Sequence, residues 1–232
     1  MIALSSGSGG LRCRWLGRIS FDQALELQQA IVQDHPRHGD SLLLLEHDPV
    51  YTTSRRGKTE NLPRDGDVPV RRIGRGGDVT YHGPGQLVGY ALVDLRARGG
   101  DVHGFLRALE AGVLGLLEDL GVSGALVGGR TGVWVGGAGQ GGEPRKIASI
   151  GIGVRRGISM HGFAVNVSVD LGSFARIVPC DIENVVMTSV ELETGRKAPG
   201  LREVADLAAV RLSDALSEAE GRPSRLRGGS SA

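Results

Sequence analysis

The chain predicts an α+β fold, a mixed or antiparallel sheet with packed helices, and three observations predict it. Between residues 101 and 120, Phe105, Leu106, Leu109, Val113, Leu116, Leu117 and Leu120 return at helical spacing, which marks an amphipathic helix. From Met160 to Asp170 the pattern changes to alternation, with Phe163, Val165, Val167 and Val169 set against Ala164, Asn166 and Ser168. That is the period of a half-buried strand. Finally, strand-like and helix-like stretches follow one another without the regular alternation that a doubly wound parallel sheet requires.

Taken in order, residues 1–10 are rich in Ser and Gly and are expected to be a flexible N-terminus. Residues 11–17 read as a strand, and Ser20 as the N-cap of a helix that carries Phe21, Ala24, Leu25, Gln28, Ile31 and Val32 near one face. His35-Pro36 is expected to end that helix. Residues 40–46 are short and apolar, as a buried strand is, and 47–56 form a turn into a short strand. Residues 58–68 read as a polar surface loop. Leu87 to Asp94, 132–136 and 146–154 are further strands, with a flexible Gly/Pro turn at 137–144 and a hairpin turn at Gly157. A last amphipathic helix spans 201–217. The expected organisation is one domain over 11–217 followed by a disordered tail over 218–232.

Composition narrows the function. The 232 residues suit one large domain, and 40% hydrophobic with 23% charged residues is enough to build a core. A net charge of +1 favours neither nucleic acid nor an anionic membrane, and 4% aromatic content argues against a base-stacking platform. No signal peptide and no apolar run of roughly 20 residues is visible, so a soluble, cytoplasmic protein is expected. The two cysteines, Cys13 and Cys180, are not needed as a staple in a chain of this length. Without Cys-x-x-Cys or His-x-x-x-His, no metal site is expected.

The least ordinary stretch is Ile73 to Tyr90, where Gly74, Gly76, Gly77, Gly83, Gly85 and Gly89 surround Arg75, Asp78, Thr80, Tyr81 and His82. Glycine at this density costs backbone entropy and adds nothing to a core, but it lets backbone groups approach a ligand closely. The stretch lacks both Gly-x-Gly-x-x-Gly and a terminal Gly-Lys-Ser/Thr, so it is not a nucleotide phosphate loop. It reads as a ligand-gripping loop that runs into a scaffold strand.

Other residues invite chemistry with less force. Cys180 follows a proline between apolar and polar runs, a setting open to a nucleophile or to a small buried hydrophobe. Lys146 opens an apolar strand, where lysine is ordinarily a solvated end. His82 and His161 each precede glycine, which fits two edges of one pocket or two unrelated turn histidines.

The segment Arg75-Gly-Gly-Asp-Val-Thr-Tyr-His-Gly-Pro-Gly-Gln86 resembles the signature of the lipoyl(octanoyl) transferase, or lipoate-protein ligase B, family. The resemblance continues through Glu46-His-Asp-Pro-Val-Tyr-Thr52, Arg130-Thr-Gly-Val-Trp-Val135, Lys146-Ile-Ala-Ser-Ile-Gly151, Met160-His-Gly-Phe-Ala-Val-Asn166 and Ile177-Val-Pro-Cys180. It implies a fold related to the catalytic domains of lipoate and biotin ligases. It implies that Cys180 is a nucleophile and Lys146 its partner. It further implies an acyl pocket lined by Arg75, Gly76, Gly77, Asp78, Val79, Thr80, Tyr81 and His82, by Ser149, Ile150 and Gly151, and by Gly162, Phe163 and Ala164.

The implied reaction moves octanoyl from acyl carrier protein to a lysine of lipoyl domains, those of 2-oxoacid dehydrogenase complexes and of the glycine cleavage H protein. It needs no cofactor. Backbone N–H groups near Cys180 or at Gly76-Gly77 are candidate oxyanion donors. One departure stands out: Asp181 occupies a position where the family carries glycine, and a carboxylate there is expected to raise the thiol pKa. An ATP-dependent ligase of the same fold, a non-catalytic acyl-carrier binder and a cysteine hydrolase are the alternative readings.

Overall fold

The computed structural model describes residues 2–3, 10–55, 57–63, 66–137, 141–177 and 185–220. Its first elements are β1 (Ile2–Ala3), β2 (Arg12–Ile19) and α1 (Phe21–Gln33). Ser20 caps α1 in a reciprocal box: Gln23 N donates to Ser20 Oγ and Ser20 N donates to Gln23 Oε1, both at 3.2 Å. The face the helix buries is Phe21, Ala24, Gln28, Ile31 and Val32. Pro36 does not act as the stop the sequence suggested. It lies in the first turn of a separate short helix, α2 (His35–His38), where a missing N–H costs nothing.

Next come β3 (Ser41–His47), β4 (Val50–Ser54), β5 (Val70–Ile73), β6 (Thr80–His82) and β7 (Gln86–Leu92). A 3-10 turn, Thr59–Asn61, interrupts the loop expected at 58–68. The long helix α3 (Val102–Asp119) is capped by Asp101, whose Oδ1 accepts from Gly104 N at 2.8 Å, and Gly121 follows it at φ +77°. The remaining elements are β8 (Ala125–Val127), β9 (Arg130–Gly137), β10 (Gly141–Arg155), β11 (Ile158–Asn166), β12 (Val186–Met187), α4 (Val190–Thr194) and α5 (Leu201–Glu220). A 3-10 segment, Leu171–Arg176, lies before β12.

Among the described residues the main sheet has nine strands in the order β1-β2-β3-β7-β11-β10-β9-β8, with β12 also on β10. It is mixed: β2–β3 and β10–β12 run parallel and the other pairs antiparallel. A second sheet, β5-β4-β6, has three strands. Alternation along β3 shows how the layers stack. Leu42 and Leu44 join the core under α3 and α5, with Phe105, Leu109 and Leu212, whereas Leu43 and Leu45 pack with Ala24 and Ile31 of α1.

Because both faces are covered, all of β11 is buried, not one face only as its alternation suggested. The strand also ends at Asn166, so Val167 and Val169 lie beyond it. Arg156 and Gly157, at φ +55° and +79°, form the two-residue turn between β10 and β11. The flexible turn expected at 137–144 is partly replaced by sheet, since Gly141 pairs with Gly137, while residues 138–140 lie outside the described residues. At the two ends, Ile2–Ala3 pairs with Arg14 and Trp15, and α5 continues three residues past 217; residues 221–232 are outside the described set. No described helix is long and apolar enough to cross a membrane.

Candidate active site

A cavity of about 500 Å³ opens where the glycine loop crosses β10 and β11. Its walls exist because backbones meet there without side chains between them. Gly76 N donates to Ile152 O at 2.9 Å, tying the loop to β10. A Cβ on Gly153 would lie 2.1 Å from Gly74 O, and one on Gly162 would lie 2.3 Å from Gly89 O. Close approach, not left-handed geometry, demands glycine at both positions.

The structure brings most of the proposed acyl-pocket residues to this cavity. From the loop come Arg75, Gly76, Gly77, Thr80 and His82; from β10, Ser149, Ile150 and Gly151; from β11, Gly162, Phe163 and Ala164. Asp78, Val79 and Tyr81 do not line it. On β6 the period of two sends Thr80 and His82 inward and Tyr81 outward, where it packs on Tyr51 and Phe174. Val79 joins the same outer cluster. Asp78 braces the loop from behind, accepting from Thr53 Oγ1 at 3.2 Å and Asn61 Nδ2 at 2.6 Å.

Phe21, Ile73, Val88, Tyr90 and His161 complete the lining. Val88 and Tyr90 sit two apart on a strand adjoining the glycine stretch, which was the available signal. Phe21 gave none, being an ordinary first-turn residue of a helix.

Four polar rings gather below the cavity. His47 lies 5.9 Å from His82 and 5.8 Å from Tyr90, and Tyr90 lies 6.2 Å from His161, between ring centroids. His47 Nδ1 faces the Ile19 carbonyl at 3.0 Å, so that nitrogen carries the proton and Nε2 accepts from the Tyr90 hydroxyl at 2.7 Å. Burial disfavours the imidazolium and holds His47 and His161 at about 4 and His82 at about 3; the neighbouring His47 lowers His82 further. The Tyr90 hydroxyl is pushed up by the same burial. All four are therefore neutral at physiological pH.

His161 is a strand residue held at φ +63°, an unfavourable conformation for a non-glycine residue, and its buried Nδ1 has no hydrogen-bond partner. His82 and His161 share the cavity, and neither is a turn residue.

Lys146 is not the solvated strand end its residue type suggested. It is 2% exposed, with Nζ 5.2 Å from the centroid of the Trp134 ring, a cation–π distance. Its backbone pairs with Trp134 of β9 on one side and Met187 of β12 on the other. Cys180 and Asp181 lie outside the described residues. The described chain stops at Ile177, packed near Tyr51 and Val79, and resumes at 185, one residue before β12. Cys13 is buried in the main core with Ser213 Oγ 3.6 Å from its sulfur, and burial raises its thiol pKa. Among the described residues, no group of three or more His, Cys, Asp or Glu is placed to hold a metal ion.

Comparison with known proteins places these features in context. Residues 20–210 match the lipoyl protein ligase A/B catalytic domain. An octanoyltransferase of Mycolicibacterium gilvum is 46% identical over 216 residues, covering 92% of this chain and 89% of its own. One from Geobacter sulfurreducens is 47% identical over 183 residues, covering 78% and 74%. Among solved structures, a bipartite lipoate protein ligase from Thermoplasma acidophilum matches with a TM-score of 0.66 at 18% identity, covering 91% and 84%. Biotin protein ligase from Aquifex aeolicus matches at 0.51 and 15%, covering 90% and 69%. At such identities the solved structures attest the fold alone.

Proposed function

The chain belongs to the lipoyl protein ligase A/B catalytic-domain family, where its relatives are octanoyltransferases, and on that premise we propose that it moves octanoyl from acyl carrier protein to a lipoyl-domain lysine through a thioester on Cys180. It is an acyltransferase. The observation that carries the finer reading is that β10 bears both halves of the apparatus. Ser149, Ile150 and Gly151 line the cavity, and three residues earlier the buried Lys146 pairs with the strand that follows the Cys180 segment. A cavity of about 500 Å³ is within the ordinary range for a small ligand, and burying each methylene of the chain contributes about 0.8 kcal/mol.

The chemistry balances without ATP. In the first half, the Cys180 sulfur attacks the carrier thioester, its C–S bond breaks, and the carrier thiol leaves with the proton. In the second, the lipoyl lysine amine attacks the Cys180 thioester, an amide forms and the Cys180 thiol is restored. One activated acyl bond is exchanged and then consumed in a more stable amide.

Lys146 assists either as a cation favouring the thiolate or as a neutral amine relaying the proton. At about 4 Å and an effective dielectric near 20, the cationic form would favour the thiolate by roughly 4 kcal/mol before desolvation. The two roles are states of one coupled pair. Gly76 N–H is engaged by Ile152 O, which leaves Gly77 and the backbone near Cys180 as the oxyanion donors to test. Within the domain, residues 11–217 carry the catalytic unit.

The test is a transfer assay with octanoyl-acyl carrier protein and an unmodified lipoyl domain, without ATP. The expected product is an octanoyl amide on the lipoyl lysine. A product that forms only with ATP and free octanoate would place the chain with the ligases instead.

A further inference from the structure

Behind the cavity runs a line of hydrogen bonds to which the acyl-transfer steps assign no role. Arg75 Nη2 donates to Thr52 Oγ1 at 3.0 Å, and Thr52 Oγ1 meets His82 Nε2 at 3.4 Å, the longest link. His82 Nδ1 meets Gln86 Oε1 at 2.7 Å. Gln86 Nε2 donates to Asn166 Oδ1 at 3.0 Å, and Asn166 Nδ2 donates to the Thr188 carbonyl at 2.9 Å. Thr52, Gln86, Asn166 and Thr188 are each no more than 2% exposed.

Both ends of this line have fixed polarity, because a guanidinium only donates and a carbonyl only accepts. Asn166 spends its Nδ2 on Thr188 O, so its Oδ1 is what faces Gln86. Gln86 Nε2 also donates to Tyr81 O at 3.2 Å, so a reversed amide would set oxygen against two acceptors. Gln86 Oε1 is therefore the atom facing His82, and Nδ1 must carry the ring proton. Nε2 is left as a lone pair. The Thr52 hydroxyl, already an acceptor for Arg75, turns its proton toward that lone pair.

We propose that Gln86 and Asn166 are positioning residues: they lock His82 in the Nδ1–H tautomer and, through His82 and Thr52, hold the Arg75 guanidinium in place at the cavity wall. The far end of the line is tied to the chemistry by the same residue, since Thr188 N donates to the Lys146 carbonyl at 2.9 Å. One strip of hydrogen bonds thus connects the glycine loop to the backbone of Lys146. A buried network of this kind is stable only when every member is satisfied, so losing one donor misdirects each group beyond it. The catalytic consequence rests on the acyl-transfer reading; the tautomer does not.

The tautomer is read directly by long-range proton–nitrogen correlation spectra of the full chain labelled at its six histidines, with the His82→Gln spectrum supplying the assignment. The expected spectrum has His82 neutral, protonated on Nδ1, and unchanged from pH 8 to pH 5. The titratable groups facing His82 are His47, His161 and Arg75, and Gln86→Glu leaves all three in place. That variant puts a carboxylate on Nδ1, which draws a second proton onto the ring and moves its titration upward.

In the transfer assay Gln86→Glu is expected to lose about tenfold or more in kcat/KM, a change of about 1.4 kcal/mol. A wild-type His82 protonated on Nε2, or a His82 titration unmoved by Gln86→Glu, would overturn the lock. Full activity with a displaced titration would overturn the positioning role. The spectra need no substrate, so the transferase reading and the tautomer lock can fail separately, and the wild-type spectrum decides even if the variant does not fold.

Discussion

A lysine at 2% exposure is rare, because removing an ammonium from water costs several kcal/mol unless something in the fold compensates. For Lys146 part of that compensation is the face of Trp134, which Arg130 also approaches, with Cζ 5.4 Å from the ring centroid. Gly132 makes room: a Cβ there would lie 3.0 Å from Lys146 Cε. A site that sacrifices a side chain to admit a buried cation is built for that cation. Lys146→Ala is expected to slow acylation of Cys180 by roughly 10²–10⁴-fold, the usual contribution of a positioned acid or base. Single-turnover acylation shows the effect, and a normal rate would remove Lys146 from the mechanism. Nothing in residue type announced the burial of Lys146. Only its place in the resemblance to lipoyl(octanoyl) transferases singled it out, because burial comes from β9 and β12, which are distant in sequence.

Among the elements, glycine contacts decide the site's shape. Gly162→Ala would force a methyl into Gly89 O on the neighbouring strand, and neither backbone can yield without opening the sheet. A destabilisation of about 1–3 kcal/mol is expected, seen as a lower Tm. Gly153→Ala instead presses on Gly74 O in the loop. It should raise KM for the acyl carrier substrate with a smaller change in Tm. Equal effects of the two on Tm would contradict this division between scaffold and loop.

Sequence pattern revealed elements whose signals are local. Ser20 and Gln23 announce α1, and the leucines of α3 repeat at its period. It did not reveal β8, β12 or α4, which are three, two and five residues long and exist through pairing and packing with remote segments. Alternation in β11 was a poor guide to burial because α1 and α3 cover opposite faces of the sheet. Likewise the glycine stretch located the cavity, but only the strand geometry of β6 separates His82 from Tyr81.

The whole molecule carries a cost for its neutral histidines. An unfolded imidazole takes up a proton near pH 6.5, whereas folded His47 and His161 wait until about 4 and His82 until about 3. Below 6.5 the unfolded chain therefore binds more protons, and stability drains as the pH falls. The contribution is whole above about pH 6.5 and is spent once the folded histidines titrate. Every tenfold loss of proton affinity on folding is worth about 1.4 kcal/mol per ring. Thermal melts should show Tm falling steadily from pH 6.5 to 4, with no histidine contribution between 7 and 8. A flat Tm from pH 7 to 4.5 would mean that the three rings are not buried as neutral groups.

Intact-mass analysis after mixing the protein with octanoyl-acyl carrier protein, without ATP, most directly tests whether acyl transfer passes through the protein itself. An octanoyl adduct on Cys180 is expected, labile to hydroxylamine, absent from Cys180→Ala and discharged when a lipoyl domain is added. No adduct, with the lipoyl domain modified only when ATP and free octanoate are supplied, would contradict the covalent route.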